Sequence, residues 1–361
     1  MTVRELDGSG GGGQFLRTAL AVAALEGEPV RIEQVRGGRD DPGLKAQHLA
    51  VLETLSAITG ADREGAELGA GTVAFDPGPV SGGEYAVEIG TAGSLTLLFD
   101  ALLPLAVALE EPLSVTATGG TDVAWSPPMD YQRHVKLPLL RAFGLAATVE
   151  VDRRGFYPAG GGRVTLHLFP SALEPIALDG SATDGANPGG IDSVRIHSTE
   201  AAALADSDVA KRQARAATER LDRAIDERVE TTAESPGPGS AIVVVLADGG
   251  LPRAGFTALG EPGKLAERVG EAAADGANRF LERDAEDGPP AVDPRLADQL
   301  LPTLALAGGR YRTPAVTDHL ESAAGLLADL GYDVSVSIDA GGAVVSGTDD
   351  KPGDRPRGDD L

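Results

Sequence analysis

The chain has 361 residues, 42% of them hydrophobic, and a formal net charge of −24 from 55 acidic against 31 basic side chains. That length suits two domains, or one domain carrying a large insert, and the apolar share is enough for a sizeable core. With no cysteine in the chain, disulfides, cysteine-based zinc sites and thiol catalysis are excluded. No apolar run is long enough and free enough of charge to read as a membrane span. The polar N-terminus lacks the layout of a signal peptide, so a soluble, cytoplasmic protein is expected. Lysine is scarce (Lys45, Lys136, Lys211, Lys264 and Lys351), and arginine supplies most of the positive charge. An acidic, lysine-poor composition resembles proteins of cells with a salt-rich cytoplasm. Net negative charge ordinarily argues against a nucleic-acid substrate. High salt screens repulsion over a few ångströms, so a local arginine cluster can still hold phosphate.

Along the chain, Asp7-Gly8-Ser9 leads into four consecutive glycines, Gly10 to Gly13, and then into a helical pattern with Phe15, Leu16, Ala19, Leu20 and Ala23 on one face. Pro29 to Val35 alternates like a strand, and Arg36 to Gly43 is a turn. Leu44 to Thr59 reads as a helix. Gly83 to Ile89 is a predicted strand, and Gly90-Thr91-Ala92-Gly93-Ser94 opens an apolar helix through Ala108. Leu113 to Thr118 (strand), Tyr131 to Phe143 (helix), Ala146 to Val151 (strand) and Val164 to Phe169 (strand) follow. The recurring strand–helix rhythm with glycine-rich turns predicts an α/β (α+β) fold of stacked units rather than one Rossmann sheet.

Composition shifts at Ser181 to Gly190, a linker-like stretch. Beyond it lie a strand at Ser193 to Ser198, a charged helix from Asp208 to about Glu230, a strand at Ala241 to Ala247 and a helix from Lys264 to Arg283. Arg295 to Ala307 is a helix, Arg310 to Ala315 a strand and His319 to Leu330 a helix. Asp333 to Ile338 and Gly342 to Val345 form a closing hairpin. The domain reading is therefore a large domain over 1–180 and 284–345, a small inserted domain over 181–283, and a tail over 346–361 whose Gly/Pro/Asp-rich composition predicts disorder.

The glycine run has two readings. Glycine lets backbone N–H groups approach a ligand closely, and a helix N-terminus offers unpaired donors and partial positive charge, which together suit a phosphate. Arg17 lies one turn into that helix. The other reading is a flexible surface turn before an ordinary helix. The pattern is not a Walker motif, because no Gly-Lys-Ser/Thr follows, and it fits Rossmann spacing poorly. Of the five histidines, His134, His167 and His197 read as structural. His48, after Gln47, reads equally as a substrate-binding group or a core histidine. His319 stands at a helix start beside an expected cap, Asp318.

Taken together, the motifs resemble the RNA 3′-terminal phosphate cyclase family. They are Asp7-Gly8 with Gly11-Gly12-Gly13-Gln14-Phe15-Leu16-Arg17; Arg36-Gly37-Gly38-Arg39, Pro42-Gly43-Leu44 and Gln47-His48-Leu49; and Ile89-Gly90-Thr91-Ala92-Gly93-Ser94. Then come Gly119-Gly120-Thr121-Asp122; Phe156-Tyr157-Pro158-Ala159-Gly160-Gly161-Gly162; Leu296-Ala297-Asp298-Gln299-Leu300; and the segment around His319. No single motif is decisive, but the ordered set is specific and spans nearly the whole chain outside the insert and tail.

The resemblance implies a large domain of repeated βαβαββ units, distantly similar to the enolpyruvyl transferases, with a small inserted α/β domain. It implies that ATP and Mg2+ or Mn2+ are used to turn an RNA 3′-phosphate into a 2′,3′-cyclic phosphate through a histidine–AMP intermediate and an RNA adenylate. His319 matches the adenylated histidine. Imidazole suits that role because it is unprotonated near neutral pH. Arg17 and Arg39 match family arginines, expected to bind phosphate and stabilise transition-state charge. Pro127, Asp298 and Gln299 match positions that contact adenosine, and Gln14, Gln47 and His48 are expected to bind RNA or phosphate.

Three positions depart from the family. The glycine loop is shorter and lacks a glutamate, a family glutamine is Asp100, and a family tyrosine is Arg295. Hard divalent ions want carboxylate oxygens near phosphates, so Asp100 is expected to restore the missing carboxylate as a metal and ATP contact. Arg295 is expected to stack on adenine through its planar guanidinium. Two competing readings are a non-catalytic cyclase-like factor that binds RNA or assists ribosome assembly, whose known relatives lack the histidine, and an enolpyruvyl transferase, for which lysine-rich phosphate sites are missing.

Overall fold

The computed structural model describes residues 3–178, 190–287, 292–339 and 341–348. Most of the linker-like stretch, residues 181–189, and most of the expected tail, residues 349–361, lie outside the described residues. The first unit runs β1 (Arg4–Asp7), α1 (Gly13–Glu26), β2 (Val30–Glu33), α2 (Ala46–Thr59), β3 (Asp62–Glu64) and β4 (Val73–Asp76). The second is β5 (Gly83–Glu88), α3 (Leu95–Leu102), β6 (Leu113–Gly119), α4 (Met129–Tyr131), α5 (Leu137–Ala142), β7 (Ala147–Arg153) and β8 (Gly162–Leu168). A third unit opens with β9 (Ile176–Leu178). The chain then inserts β10 (Ser193–Ala201), α6 (Val209–Arg220), β11 (Glu227–Ala233), β12 (Ser240–Asp248), β13 (Leu251–Leu259) and α7 (Ala266–Asp287). It resumes with α8 (Pro294–Ala307), β14 (Gly309–Thr313), α9 (Asp318–Asp329), β15 (Val334–Asp339) and β16 (Gly342–Gly347).

The three units share one strand plan. Their sheets have the orders β1-β2-β4-β3, β5-β6-β8-β7 and β9-β14-β16-β15. In each, the first two strands are parallel and the remaining neighbours antiparallel. Parallel neighbours need a crossover, and a helix supplies it: α1 between β1 and β2, and α3 between β5 and β6. Between β9 and β14 the crossover is α8, preceded by the inserted elements. The segment 193–287 is thus an interruption ahead of the first helix of the third unit.

The inserted sheet has the order β11-β10-β12-β13. Its centre, β12, is buried on both faces, as the period of two in a strand allows. Ile242, Val244 and Leu246 pack with Ala214, Val269 and Ala273 of α6 and α7, while Val243 and Val245 enter the main core. The sheet is therefore pressed against the body that carries the other three. At roughly 1.5–3 kcal/mol for each fully buried large aliphatic side chain, these contacts hold the insert firmly.

Several elements differ from the sequence reading. The charged helix ends at Arg220, ten residues before Glu230: Leu221 is extended (φ −72°, ψ 135°), and the β-branched run at Val229, Thr231 and Thr232 belongs to β11, parallel to β10. The apolar helix after Ser94 stops at Leu102 and tightens into a 3₁₀ segment over Leu103–Val107, with Pro104 in its first turn. Tyr131 to Phe143 is not one regular helix: a π-helical segment, Gln132–Lys136, separates α4 from α5. The strands β1, β3, β4, β9 and β13 are absent from the sequence reading. The closing hairpin extends to Gly347, two residues past the expected end. The cap of α9 is Thr317, whose hydroxyl accepts from Leu320 N at 3.1 Å, and Asp318 is the first helical residue. Among the described residues no helix is long and apolar enough to cross a membrane.

Candidate active site

A cavity of about 890 Å³ lies where α1, α2, α3, α8 and α9 converge, with Thr257 to Leu259 of β13 on its wall. Gln14, Arg17, Arg39, Gln47, His48, Asp100, Pro127, Arg295, Asp298, Gln299 and His319 all line it. Residues as far apart in sequence as Gln14 and His319 are thus brought to one space by the stacking of the units.

One part of the wall is built around the start of α1. Its cap, Gly12, offers no side chain to the first turn, so helix N–H donors stay available. Glycine keeps this approach open: a Cβ on Gly13 would press on the His48 ring at Nε2 and lie 3.1 Å from Arg17 Nη1, and one on Gly12 would meet the movable end of Arg39. Removing two side chains lets two guanidinium groups and an imidazole crowd a helix N-terminus, an arrangement suited to an anion. Among the described residues neither Arg17 nor Arg39 has a carboxylate partner within 4 Å, so both charges are available to a ligand. Burial lowers the Arg17 pKa, and Asp100 and Asp298 pull it back up; the group stays charged at any physiological pH.

His48 has a defined protonation state. Its Nδ1 accepts from the Lys45 backbone N–H at 3.2 Å at the start of α2. Burial first, then Arg17, Arg36 and Lys45, hold its pKa down to about 3. The neutral ring with Nδ1 as acceptor carries its proton on Nε2, the atom that faces Gly13. His48 is therefore a fixed hydrogen-bond donor. Gln47, beside it, accepts through Oε1 from Ser94 N at 3.3 Å and so ties α2 to the loop before α3. Ser94 bonds Thr96, and Thr96 donates to the Pro127 carbonyl at 2.8 Å. Gln47 and Pro127 are thus held by one connected set of contacts.

The remaining wall is acidic and is set by α8. Asp293 caps this helix: Oδ1 accepts from Arg295 N at 2.9 Å and Leu296 N at 3.0 Å, while Oδ2 accepts from Gly255 N at 3.0 Å and the Tyr131 hydroxyl at 3.4 Å. One carboxylate therefore fixes α8 to β13 and α4. Asp298 sits one turn further on. Burial pushes its pKa up to about 7, with Asp293 and Asp100 adding to the rise and Lys136 and Arg17 opposing it. Gln299 donates to the Arg295 carbonyl at 2.9 Å, while its buried Oε1 has no hydrogen-bond partner. A buried acceptor left without a donor costs stability, and a ligand amino group entering the cavity satisfies it.

Asp100, the expected metal carboxylate, faces Lys136 Nζ at 2.7 Å. The contact lies outside hydrogen-bond angles, since Asp100 Oδ1 accepts no hydrogen bond, but the two opposite charges are buried together. Among the described residues no three His, Asp or Glu side chains converge as a metal cage requires. A Mg2+ that arrives with a nucleotide takes most of its oxygens from the phosphates and water.

His319 is the second residue of α9, exposed, and no hydrogen bond among the described residues ties up its imidazole. Apart from His48, the other histidines are occupied elsewhere. His134 and His197 stack on one another with centroids 3.7 Å apart, and His167 Nδ1 bonds Ser114 Oγ at 2.9 Å between β8 and β6. Sequence reasoning missed Lys136, Trp125 and Asp293 in or beside the cavity. Lysine is present at only five positions, and its rarity was the available signal for Lys136.

A family model described as RNA 3′-terminal phosphate cyclase matches residues 9–336. A protein of Halobacterium salinarum named RNA 3′-terminal phosphate cyclase is 47% identical over 94% of this chain and 98% of its own length. Proteins of the same name from Methanopyrus kandleri and Pyrococcus furiosus are each 41% identical, over 89% and 87% of this chain and 91% and 89% of theirs. A solved structure of the enolpyruvyl transferase NikO from Streptomyces tendae overlaps 46% of this chain and 32% of its own at 18% identity and a TM-score of 0.28, too slight a likeness to carry any argument.

Proposed function

Because the chain belongs to the RNA 3′-terminal phosphate cyclase family, we propose that it is an ATP-dependent ligase that closes an RNA 3′-phosphate into a 2′,3′-cyclic phosphate. The observation that carries this reading is the sharing of one cavity by His319, Arg17, Arg39 and His48: a nucleophile with an unengaged ring beside an anion-binding helix start.

In the first step an imidazole nitrogen of His319 attacks the α-phosphorus of ATP. A phosphorus–nitrogen bond forms and diphosphate leaves with the electrons of the broken bond. An oxygen of the RNA 3′-phosphate then attacks the same phosphorus, the phosphorus–nitrogen bond breaks, and AMP passes to the RNA. The ribose 2′-OH finally attacks the activated RNA phosphorus and gives up its proton. AMP departs and the cyclic ester remains. Arg17 and Arg39 hold phosphate oxygens as charge builds on them, and the neutral His48 donates from Nε2. Nucleotidyl transfer depends mainly on such positioning and fixed charge. The adenosine portion is assigned to Pro127, Asp298, Gln299 and Arg295, with the unpaired Gln299 Oε1 as acceptor for an amino group. Divalent cation enters with ATP as part of the substrate.

The test is an oligoribonucleotide with a 3′-phosphate, incubated with protein, ATP and Mg2+ or Mn2+ in high salt, followed by phosphatase. The expected outcome is an end that resists phosphatase and yields AMP and diphosphate in equal amounts. An end that stays phosphatase-sensitive with folded protein rejects cyclisation and favours the RNA-binding reading without catalysis.

A further inference from the structure

The chain contains one tryptophan, and it is almost wholly in solvent: Trp125 is 97% exposed. Burial of a tryptophan is among the largest apolar gains available to a fold, so leaving the only one outside is unusual. Its backbone is also strained. Trp125 has φ +61°, in the left-handed region that an L-residue enters at an energetic cost and that glycine or asparagine ordinarily fills. Such outliers point toward function when the surrounding structure enforces them, and here it does. Ser126 Oγ donates to Val123 O at 3.2 Å, Met129 N to Thr121 O at 2.9 Å and Thr96 Oγ1 to Pro127 O at 2.8 Å. The indole is held out from a pinned loop.

Its place matters as much as its exposure. Trp125 lies on the wall of the cavity, two residues before Pro127. The neighbouring loop presents a second exposed aromatic, Tyr157 at 62%, and the loops are joined by Tyr157 N donating to Asp122 O at 3.3 Å. A ligand enclosed in the cavity makes little use of a side chain that stands in solvent. A polymer whose end is held inside must leave past the mouth, and there an indole meets what trails behind.

We infer that Trp125 is a stacking platform for an unpaired base of the RNA next to its phosphorylated 3′ end, and that it sets affinity for the RNA rather than for ATP. Aromatic faces bind bases of every kind, because each base has a π-face, so the contact is tolerant of sequence. The pinned loop lowers the cost of forming it, since little backbone freedom is lost on binding.

This inference rests on the cyclase reading for its substrate but is tested separately from it. As the sole tryptophan, Trp125 reports its own contacts through intrinsic fluorescence. A short single-stranded oligoribonucleotide with a 3′-phosphate should quench it at saturable concentrations, ATP alone should not, and an oligonucleotide with abasic positions near the 3′ end should quench far less. This binding measurement needs no catalysis, so it stands even where no cyclic product forms. In turnover, Trp125→Ala should raise the KM for RNA about tenfold or more, with Trp125→Phe recovering most of it and the rate of protein adenylation by ATP unchanged. An unchanged RNA KM in a folded Trp125→Ala protein overturns the inference. So does quenching by ATP with slowed adenylation, which gives the indole to the nucleotide instead.

Discussion

Two arginines in this protein are enclosed by the fold and treated in opposite ways. Arg154 is saturated: its guanidinium bonds Asp122 at 2.7 and 2.8 Å and Asp130 at 2.7 and 3.0 Å, and Thr199 of β10 completes the set by donating to Asp130 at 2.7 Å. Its charge is neutralised twice over, which drives its pKa further up despite burial. Arg17 has two carboxylates in its neighbourhood, Asp100 and Asp298, yet pairs closely with neither. A buried charge with every bond made belongs to the architecture, here the joint between the inserted sheet and the second unit. A charge positioned and left unpaired in a cavity is waiting for an anion.

Substitution should separate the two most sharply in stability. Arg154→Met leaves Asp122 and Asp130 buried with no counter-charge, and loss of one member of a buried ionic set typically costs about 3–5 kcal/mol. Denaturant unfolding should show a drop of that order. Arg17→Met strands no close partner, so its unfolding free energy should fall by much less than that of Arg154→Met, while adenylation and cyclisation are lost. A large stability loss in Arg17→Met, or a small one in Arg154→Met, would dissolve the distinction.

A smaller effect sharpens it through pH. Asp298 has its pKa raised to about 7 in the folded protein from 3.8. The folded state then holds a proton that the unfolded state releases between those two values. Stability contributed through this group is present below about pH 4 and falls as pH rises toward 7, with a slope of at most about 1.4 kcal/mol per pH unit. Asp298→Asn removes that slope, so the difference in unfolding free energy between variant and wild type should grow with pH across this window and level off above it. A pH-independent difference would mean that the carboxyl is ionised throughout.

Much of the arrangement was legible in the sequence. Glycine runs, helix periodicity and the order of motifs placed α1, α2, α8 and α9, and the residues drawn from them line one cavity. What escaped was whatever depends on distant partners. β13 contains Pro252 and Gly255, which weaken a strand pattern locally. Pro252 is near its start, and Gly255 is needed because a Cβ there would lie 2.5 Å from Tyr131 Cε2. The helix α6 was read ten residues too far because the charges of β11 resemble those of a solvated helix until β10 is there to pair with. Asp100 looked like a free carboxylate because Lys136 is thirty-six positions away in sequence and 2.7 Å away in space. Ion pairs across a cavity leave no periodicity to read.

The most direct measurement of the central claim is labelling with ATP carrying a marked α-phosphate, in high salt with Mg2+ or Mn2+, on wild type, His319→Ala and His48→Ala. The account predicts label on the wild type that survives denaturation, is lost in acid and is removed by an RNA 3′-phosphate; slower labelling of His48→Ala; and none on His319→Ala. Label retained by His319→Ala, or abolished in His48→Ala alone, would contradict it.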